Sequence, residues 1–99
     1  MSLNRCEQAL FDYWERHLDE RRHWQARTLE ATRGPAAPVE AARGLERELW
    51  AYLEERSRNV PDLREARGGV GRLSLLNLAE LMVRLWGQAP KPRRSGSGA

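Results

Sequence analysis

The first third of the chain is an uninterrupted run, residues 3–33, that reads LNRCEQALFDYWERHLDERRHWQARTLEATR. No Gly or Pro falls inside the run, and Gly34–Pro35 follows it in the order typical of a helix C-terminus. At about 100° per residue, one broad helical face collects its apolar side chains together with one histidine. This face holds Leu3, Cys6, Leu10, Tyr13, Trp14, His17, Leu18, Trp24 and Leu29. The pattern predicts a single helix over 3–33, on the order of 45 Å long.

A second helix is predicted over residues 39–58. Pro38 suits the first helical position, because the N–H group that proline lacks needs no partner there. An apolar stripe then runs along the segment through Ala42, Leu45, Leu49, Tyr52 and Leu53. Residues 59–62 break this pattern, and residues 62–67 form a short turn or an extra helical piece.

The last predicted helix, residues 75–86, differs from the others because it is apolar around most of its surface. Ser74 is its candidate N-cap and Gly87 ends it. Its few polar side chains are Asn77, Glu80 and Arg84. A helix of this kind is normally buried on most sides. The residues that follow, 88–99, are rich in Pro, Ser and Gly and contain no large apolar side chain, which predicts a disordered basic tail.

The composition favours the same fold class. The chain has fourteen Leu but four Val and no Ile, and β-branched residues are what a sheet needs to cover its faces. With 40% apolar and 31% charged residues, it is typical of a folded globular protein. We therefore expect an all-α fold: a long antiparallel helical hairpin plus a third, largely buried helix, similar to a three-helix bundle. Residues 1–87 are expected to form one domain and 88–99 the tail.

The lengths of the predicted helices point to a partner. If the first two helices pair antiparallel, the second covers only the later half of the first. Leu3, Cys6, Leu10 and Tyr13 are then left uncovered, and the last helix has apolar surface to spare. The economical solution is that a second copy of the chain, or a different protein, shares this surface. The alternative is a compact three-helix bundle in which the first helix bends.

The charge pattern argues against a simple nucleic-acid-binding domain. Residues 1–88 hold fourteen Arg and fourteen acidic residues, so the net charge of +3 comes from Lys91, Arg93 and Arg94. Both signs are interleaved along the helices, whereas a nucleic-acid-binding face usually gathers positive charge. Phosphate contact by the Arg-rich helix faces and these three tail residues is kept as the alternative function. The excess of Arg over Lys also suggests the coding bias of a GC-rich, bacterial genome.

Membrane association is not expected. No apolar stretch approaches the roughly 20 residues that a membrane-spanning helix needs. The last helix is too evenly apolar to resemble an interfacial helix. No apolar signal-peptide region follows Met1, so the expected location is the cytoplasm.

No catalytic, cofactor-binding or metal-binding residue is expected. Cys6 and His17 share a face but lie about 16 Å apart along the helix axis, and Glu20–His23 sits beside two arginines that oppose a cation. The single Cys more simply acts as a small buried apolar group, and His17 as a core or interface histidine. The Gly69–Ser74 segment only faintly resembles a phosphate-binding loop, because no strand precedes it. We therefore expect a protein without enzymatic activity.

The candidate interface residues are large apolar side chains and two arginines on apolar faces. Arg21 and Arg56 each need a carboxylate, an aromatic face or water, and Glu80 is a possible partner. Trp50 lies on the rim of its stripe, which makes it the tryptophan expected to touch a partner first. The full set is Leu3, Leu10, Trp14, Arg21, Trp24, Trp50, Arg56, Glu80, Leu81 and Trp86. The expected function is protein–protein interaction or assembly, as a homo-oligomer or as a small helical subunit of a larger complex.

Overall fold

The computed structural model describes residues 3–34, 37–68 and 74–87, and all the regular structure in these ranges is helical. Five helices follow one another: α1 (Arg5–Arg16), α2 (Leu18–Arg33), α3 (Pro38–Arg56), α4 (Pro61–Arg67) and α5 (Leu76–Trp86). The all-α prediction is confirmed. The helices number five rather than three, and both the tail, 88–99, and the glycine joint, 69–73, lie outside the described residues.

The prediction of one continuous helix over 3–33 is wrong. The helix breaks at His17, whose backbone angles are φ −130° and ψ 86°. The break turns α1 so that its apolar face packs against α2, α4 and α5. Cys6 and Leu10, which the hairpin geometry left uncovered, are thereby completely buried. Burial of that face outweighs the backbone hydrogen bonds that a straight helix would keep, and the core closes within one chain.

The second predicted helix is confirmed with small shifts at its ends. α3 begins with Pro38 in its first turn and ends at Arg56. Residues 61–67 form the extra helical piece, α4, with Pro61 in its first turn. Leu63 of α4 is almost fully buried, because α4 packs against α1. This short helix therefore covers part of the surface that was expected to need a partner.

The last helix lies across the hairpin of α2 and α3. The backbone before its first turn contacts Glu46 of α3, and Gly87 at its end approaches Thr32 of α2. Leu78, Ala79 and Met82 are fully buried, so α5 supplies the middle of the core. Its burial is one-sided, because Leu85 is 53% exposed. Gly87 ends the helix as predicted, and a Cβ there would collide with the carbonyl oxygen of Val83.

Candidate functional site

A buried carboxylate joins the beginnings of two helices. Asn4 and Glu7 form a capping box at the start of α1: the Glu7 N–H donates to Asn4 Oδ1, and the Asn4 N–H donates to Glu7 Oε1, both at 2.8 Å. The other oxygen, Glu7 Oε2, accepts the backbone N–H of Leu78 at 2.8 Å. Glu7 is fully buried. One side chain therefore caps both α1 and α5, where a negative charge also suits the positive end of the helix dipole.

Two further contacts complete this cap, which we call the α5 clamp: Asn4, Glu7 and Glu46. Glu46 Oε2 accepts the N–H of Leu75 at 2.9 Å, and Asn4 Nδ2 donates to the carbonyl oxygen of Ser74 at 2.8 Å. Leu75 is the N-cap residue of α5 and provides no side-chain hydrogen bond itself. The expected cap, Ser74, is one residue early, although its Oγ accepts the Leu76 N–H at 3.2 Å. The clamp holds backbone groups of α1 and α5 in place, and its two carboxylates already accept hydrogen bonds within the chain. This arrangement favours a structural role.

Sequence reasoning missed Glu7. An acidic residue in the first turn of a helix ordinarily lies at the surface and interacts with the helix dipole. The signal that could have identified it is the spacing Asn4-x-x-Glu7, which is the pattern of a capping box. Nothing in that spacing indicates that the second oxygen of the carboxylate reaches a helix 71 residues later.

A second polar cluster lies between α2 and α3, beside the break at His17. Trp14 Nε1 donates to the Tyr52 hydroxyl oxygen at 3.1 Å, and that hydroxyl donates to Glu20 Oε1 at 2.8 Å. Arg56 Nη2 contacts Glu20 Oε2 at 3.1 Å. Burial, and with it the contact with Glu20, raises the pKa of Tyr52 well above its ordinary value of 10. This arrangement holds the hydroxyl in its protonated form as a hydrogen-bond donor.

Aromatic rings pack around this cluster. The ring centroids of Trp14 and Trp24 are 5.7 Å apart, and those of Trp14 and Trp86 are 6.1 Å apart. The Arg21 guanidinium lies 5.9 Å from the Trp86 ring, and the Arg56 guanidinium lies 5.6 Å from the Tyr52 ring. Such cation–π contacts suit partly buried arginines. They also show how the protein accommodates two arginines on apolar helix faces.

The expected partner of these arginines, Glu80, is not the one the structure uses. Arg56 pairs with Glu20, and Arg21 lies 3.7 Å from Glu15. Both arginine side chains keep about a third of their surface exposed. Each guanidinium therefore reaches the surface in part and has a carboxylate beside it, although the Nε atoms of both arginines are buried without a hydrogen-bond partner.

Several candidate interface residues are part of the core. Leu10, Trp14 and Trp24 are at most 2% exposed, so in the folded chain they have no surface to offer a partner. The expectation that Trp50 lies at a rim is wrong, since it is only 6% exposed. The candidates that keep exposed or partly exposed surface are Leu3, Arg21, Arg56, Glu80, Leu81 and Trp86.

Two of the residues considered as metal ligands, Cys6 and His17, lie in different environments. Cys6 is fully buried, as expected, and burial raises the pKa of its thiol. His17 is exposed at the helix break, with its ring 4.2 Å from that of Tyr13, so it is not a core histidine, and the expected alternative of an interface histidine stays a prediction. Across the described ranges, no group of three or more His, Cys, Asp or Glu side chains is arranged to hold a metal ion.

A groove of about 350 Å³ lies between α1 and α4. Its lining residues are Arg5, Gln8, Ala9, Asp12, Asp62, Glu65 and Ala66. It contains carboxylates but no Ser, Thr, Cys or His side chain, so it offers no nucleophile with an adjacent base. Its mixed charges resemble an ordinary solvated helix–helix boundary.

Four large apolar side chains are exposed by about half in the part of the chain that the structure describes. They are Leu18 at 53%, Leu29 at 46%, Val39 at 49% and Leu85 at 53%. Leu85 and the partly buried Leu81 stand one helical turn apart on α5 and so share a face. We call this pair the α5 outer stripe. None of the five helices is both long enough and apolar enough to cross a membrane.

The possible phosphate contacts of the tail, Lys91, Arg93 and Arg94, lie outside the described residues. Within them, six arginines already lie within 4 Å of a carboxylate; they are Arg16, Arg21, Arg27, Arg33, Arg56 and Arg67.

In comparisons with protein-family models, with curated proteins and with solved structures, no match to this chain was found.

Proposed function

We propose that this chain is a non-catalytic protein–protein interaction or assembly protein, acting as a homo-oligomer or as a small helical subunit of a larger complex. The observation that carries the proposal is the α5 outer stripe. Leu85 is half exposed on the helix that supplies the middle of the core. We propose the cytoplasm as the compartment of the protein.

The apolar surface that supports this proposal is not the one that the sequence indicated. The sequence pointed to an uncovered face on residues 3–13, but α4 and α5 cover that face within the same chain. Part of the apolar surface that remains is on α5, where Leu85 is exposed. Leu29 of α2 is also half exposed, and α2 meets α5 where Thr32 approaches Gly87. Burying half of one leucine side chain contributes about 1 kcal/mol, so these residues would form the centre of an interface and not all of it.

The test is a comparison of two substitutions at equally exposed apolar positions. Leu85→Glu places a charge on the α5 outer stripe, and Val39→Glu places one in the first turn of α3, where an acidic residue is favourable. We expect the wild-type chain to sediment as a dimer or larger species at micromolar concentration. Leu85→Glu should dissociate it into a monomer that still unfolds cooperatively, at a thermal midpoint that no longer depends on concentration, and Val39→Glu should leave it assembled.

Two outcomes would count against the proposal. A wild-type chain that stays monomeric at all concentrations would contradict the homo-oligomer form of it. Equal dissociation by both substitutions would show that general surface charge, and not the α5 outer stripe, controls association.

The alternative function, phosphate contact as a nucleic-acid-binding subunit, gains no support from the described residues. Six arginines lie beside carboxylates that neutralise part of their charge, which makes them less available to phosphates. Measured binding to duplex or single-stranded nucleic acid that weakens steeply with salt would reinstate it.

A further inference from the structure

We propose that this chain can exchange α1 with a second copy of itself, by straightening the break at His17 into one continuous helix over 5–33. The break occupies a single residue. No Gly or Pro lies between Arg5 and Arg33 to enforce it. The same sequence that bends in one chain is therefore well suited to a straight helix.

The break leaves the start of α2 without a side-chain cap. Neither His17 nor a neighbour donates or accepts a capping hydrogen bond there through its side chain. The first N–H groups of a helix lack partners within that helix. Straightening gives those N–H groups carbonyl partners in the last turn of α1, so the straight form recovers backbone hydrogen bonds that the bent form gives up.

The side chains at the break also suit the straight form. Leu18 is 53% exposed and His17 is exposed beside it. In a continuous helix they stand three and four residues after Trp14, on the apolar face. The bent form leaves the apolar side chain of Leu18 in water. The straight form places the same side chain beside other apolar side chains.

The surface of the chain on which α1 packs, which we call the seat of α1, would accept α1 of another copy equally well. Its main polar contacts reach residues distant along the chain: Glu7 with Leu78, Asn4 with Ser74, and Trp14 with Tyr52. His17 is the only residue of chain between α1 and α2, and the contacts between these helices, Trp14 with Trp24 and Glu15 with Arg21, are ones that α1 of a second copy would make as well. A second copy can therefore supply the same Asn4, Glu7 and Trp14 to the same partners, and such an exchange costs little because no contact has to be invented.

A second copy is the occupant that fits this seat. Any occupant must be one helix that carries a capping carboxylate, a small thiol and an indole, with the spacing of Glu7, Cys6 and Trp14. The inference does not depend on the α5 outer stripe. Loss of α1 exchange and loss of binding through Leu85 are separate results.

The experiment uses three substitutions at the break. Leu18→Pro fits the first position of α2 and forbids a continuous helix, because proline cannot donate to the carbonyl of Trp14. The backbone of His17, at φ −130° and ψ 86°, lies outside the α region that a following proline disfavours. His17→Ala favours the continuous helix through higher helix propensity. Leu18→Ala is the matched control, since it removes the exposed leucine without blocking either form.

Every chain of this series also carries Leu85→Glu, which removes association through the α5 outer stripe, and the chain with no further change serves as its wild type. Each full-length chain is refolded from denaturant at high concentration, and its mass is measured during size-exclusion chromatography. We expect a dimer fraction for the wild type, a several-fold larger fraction for His17→Ala and none for Leu18→Pro. Leu18→Ala should keep the dimer. The isolated dimer should persist after dilution until the protein is unfolded, because exchange back requires α1 to leave its seat.

A distance measurement separates exchange from side-by-side association. Spin labels are placed at the exposed positions Gln8 and Arg22, in dimers where only one chain is labelled. A continuous helix separates the two backbone positions by about 21 Å, and the bent chain by less. The exchanged dimer should show the longer distance.

Three results would overturn the proposal: a wild type and a His17→Ala variant that are both entirely monomeric, a Leu18→Pro dimer fraction equal to that of the wild type, or a dimer with the short intrachain distance. If Leu18→Pro fails to fold, the His17→Ala fraction and the distance decide. Without Leu85→Glu, a dimer that Leu18→Pro leaves intact is association through α5, whereas the absence of any dimer in the chains that carry Leu85→Glu would exclude exchange of α1.

Discussion

Glu7 and Glu20 each hold two helices to one another, yet they do so in different surroundings. Glu7 is fully buried, and its two oxygens accept backbone N–H groups from Asn4 and Leu78. The Glu20 side chain keeps a fifth of its surface exposed and contacts the side chains of Tyr52 and Arg56. Backbone donors in a dry interior have no other partner, whereas exposed side chains can turn to water. The first contact therefore decides where α5 lies, and the second strengthens a pairing that apolar contacts already define.

The largest expected effect is that of Glu7→Ala. It removes the acceptor of two part-buried or buried N–H groups and leaves a cavity, so the free energy of unfolding should fall by about 3 kcal/mol or more. Urea denaturation measures the change. Glu7→Gln is the control: its amide has one oxygen and can accept only one of the two N–H groups, so its loss should lie between those of wild type and Glu7→Ala. A loss below about 1 kcal/mol for Glu7→Ala would remove the contrast with Glu20.

A smaller loss is expected for Glu20→Ala, about 1 kcal/mol. The Tyr52 hydroxyl and the Arg56 guanidinium lie near the surface, so water can replace much of what the carboxylate gave them. A double-mutant cycle with Tyr52→Phe should give a coupling energy of about 0.5 kcal/mol or more. Simple additivity of the two single changes would mean that the hydroxyl and Glu20 do not stabilise one another.

Sequence patterns found the ends of helices where a specific residue marks them. Gly34, Pro38 and Gly87 stand next to the ends of α2, α3 and α5, because proline and glycine act through the local backbone and need no knowledge of the rest of the fold. The break at His17 has no such marker. It exists because α1 buries its apolar face on helices that come later in the chain, and local periodicity cannot contain that information.

The α5 clamp was unpredictable for the same reason. The spacing of Asn4 and Glu7 could have indicated a capping box, but the contact of Glu7 with Leu78 joins positions 71 residues apart. Trp50 illustrates the opposite error. A position at the edge of an apolar stripe suggests the surface for an isolated helix, but in the folded chain Trp50 is buried as a member of the core cluster.

The pair formed by Arg27 and Glu48 extends the comparison to a still more exposed glutamate. Arg27 Nε and Nη2 donate to the two oxygens of Glu48 at 2.9 and 2.7 Å, and both side chains are more than a third exposed. Despite this bidentate geometry, Glu48→Gln should cost only about 0.2–1 kcal/mol. The loss should shrink further at high salt, because exposed ion pairs are screened. A loss as large as that of Glu7→Ala would show that burial is not what separates these glutamates.

The ionisation of Tyr52 has no effect on stability at neutral pH and lowers it only in alkaline solution. Its pKa in the folded chain is raised above 10, so the folded chain keeps a proton that the unfolded chain loses. Stability is therefore complete below pH 10 and falls as the pH rises above 10. The measurement is the free energy of unfolding against pH in a Cys6→Ala background, because burial also raises the pKa of Cys6. Tyr52→Phe should flatten the alkaline part of that curve, and identical curves would contradict the prediction.

The position of α5 in the chain has a consequence for biosynthesis. At about 5–20 residues per second, a ribosome takes roughly 4–14 s to add the 71 residues between Glu7 and Leu78. For most of that interval α1 has been made, but α5, which receives Glu7, has not. The nascent chain therefore displays an apolar helix for seconds, which is the kind of segment that chaperones at the ribosome shelter. Synonymous codons that slow translation of residues 17–74 would lengthen that exposure without changing a single contact of the finished protein.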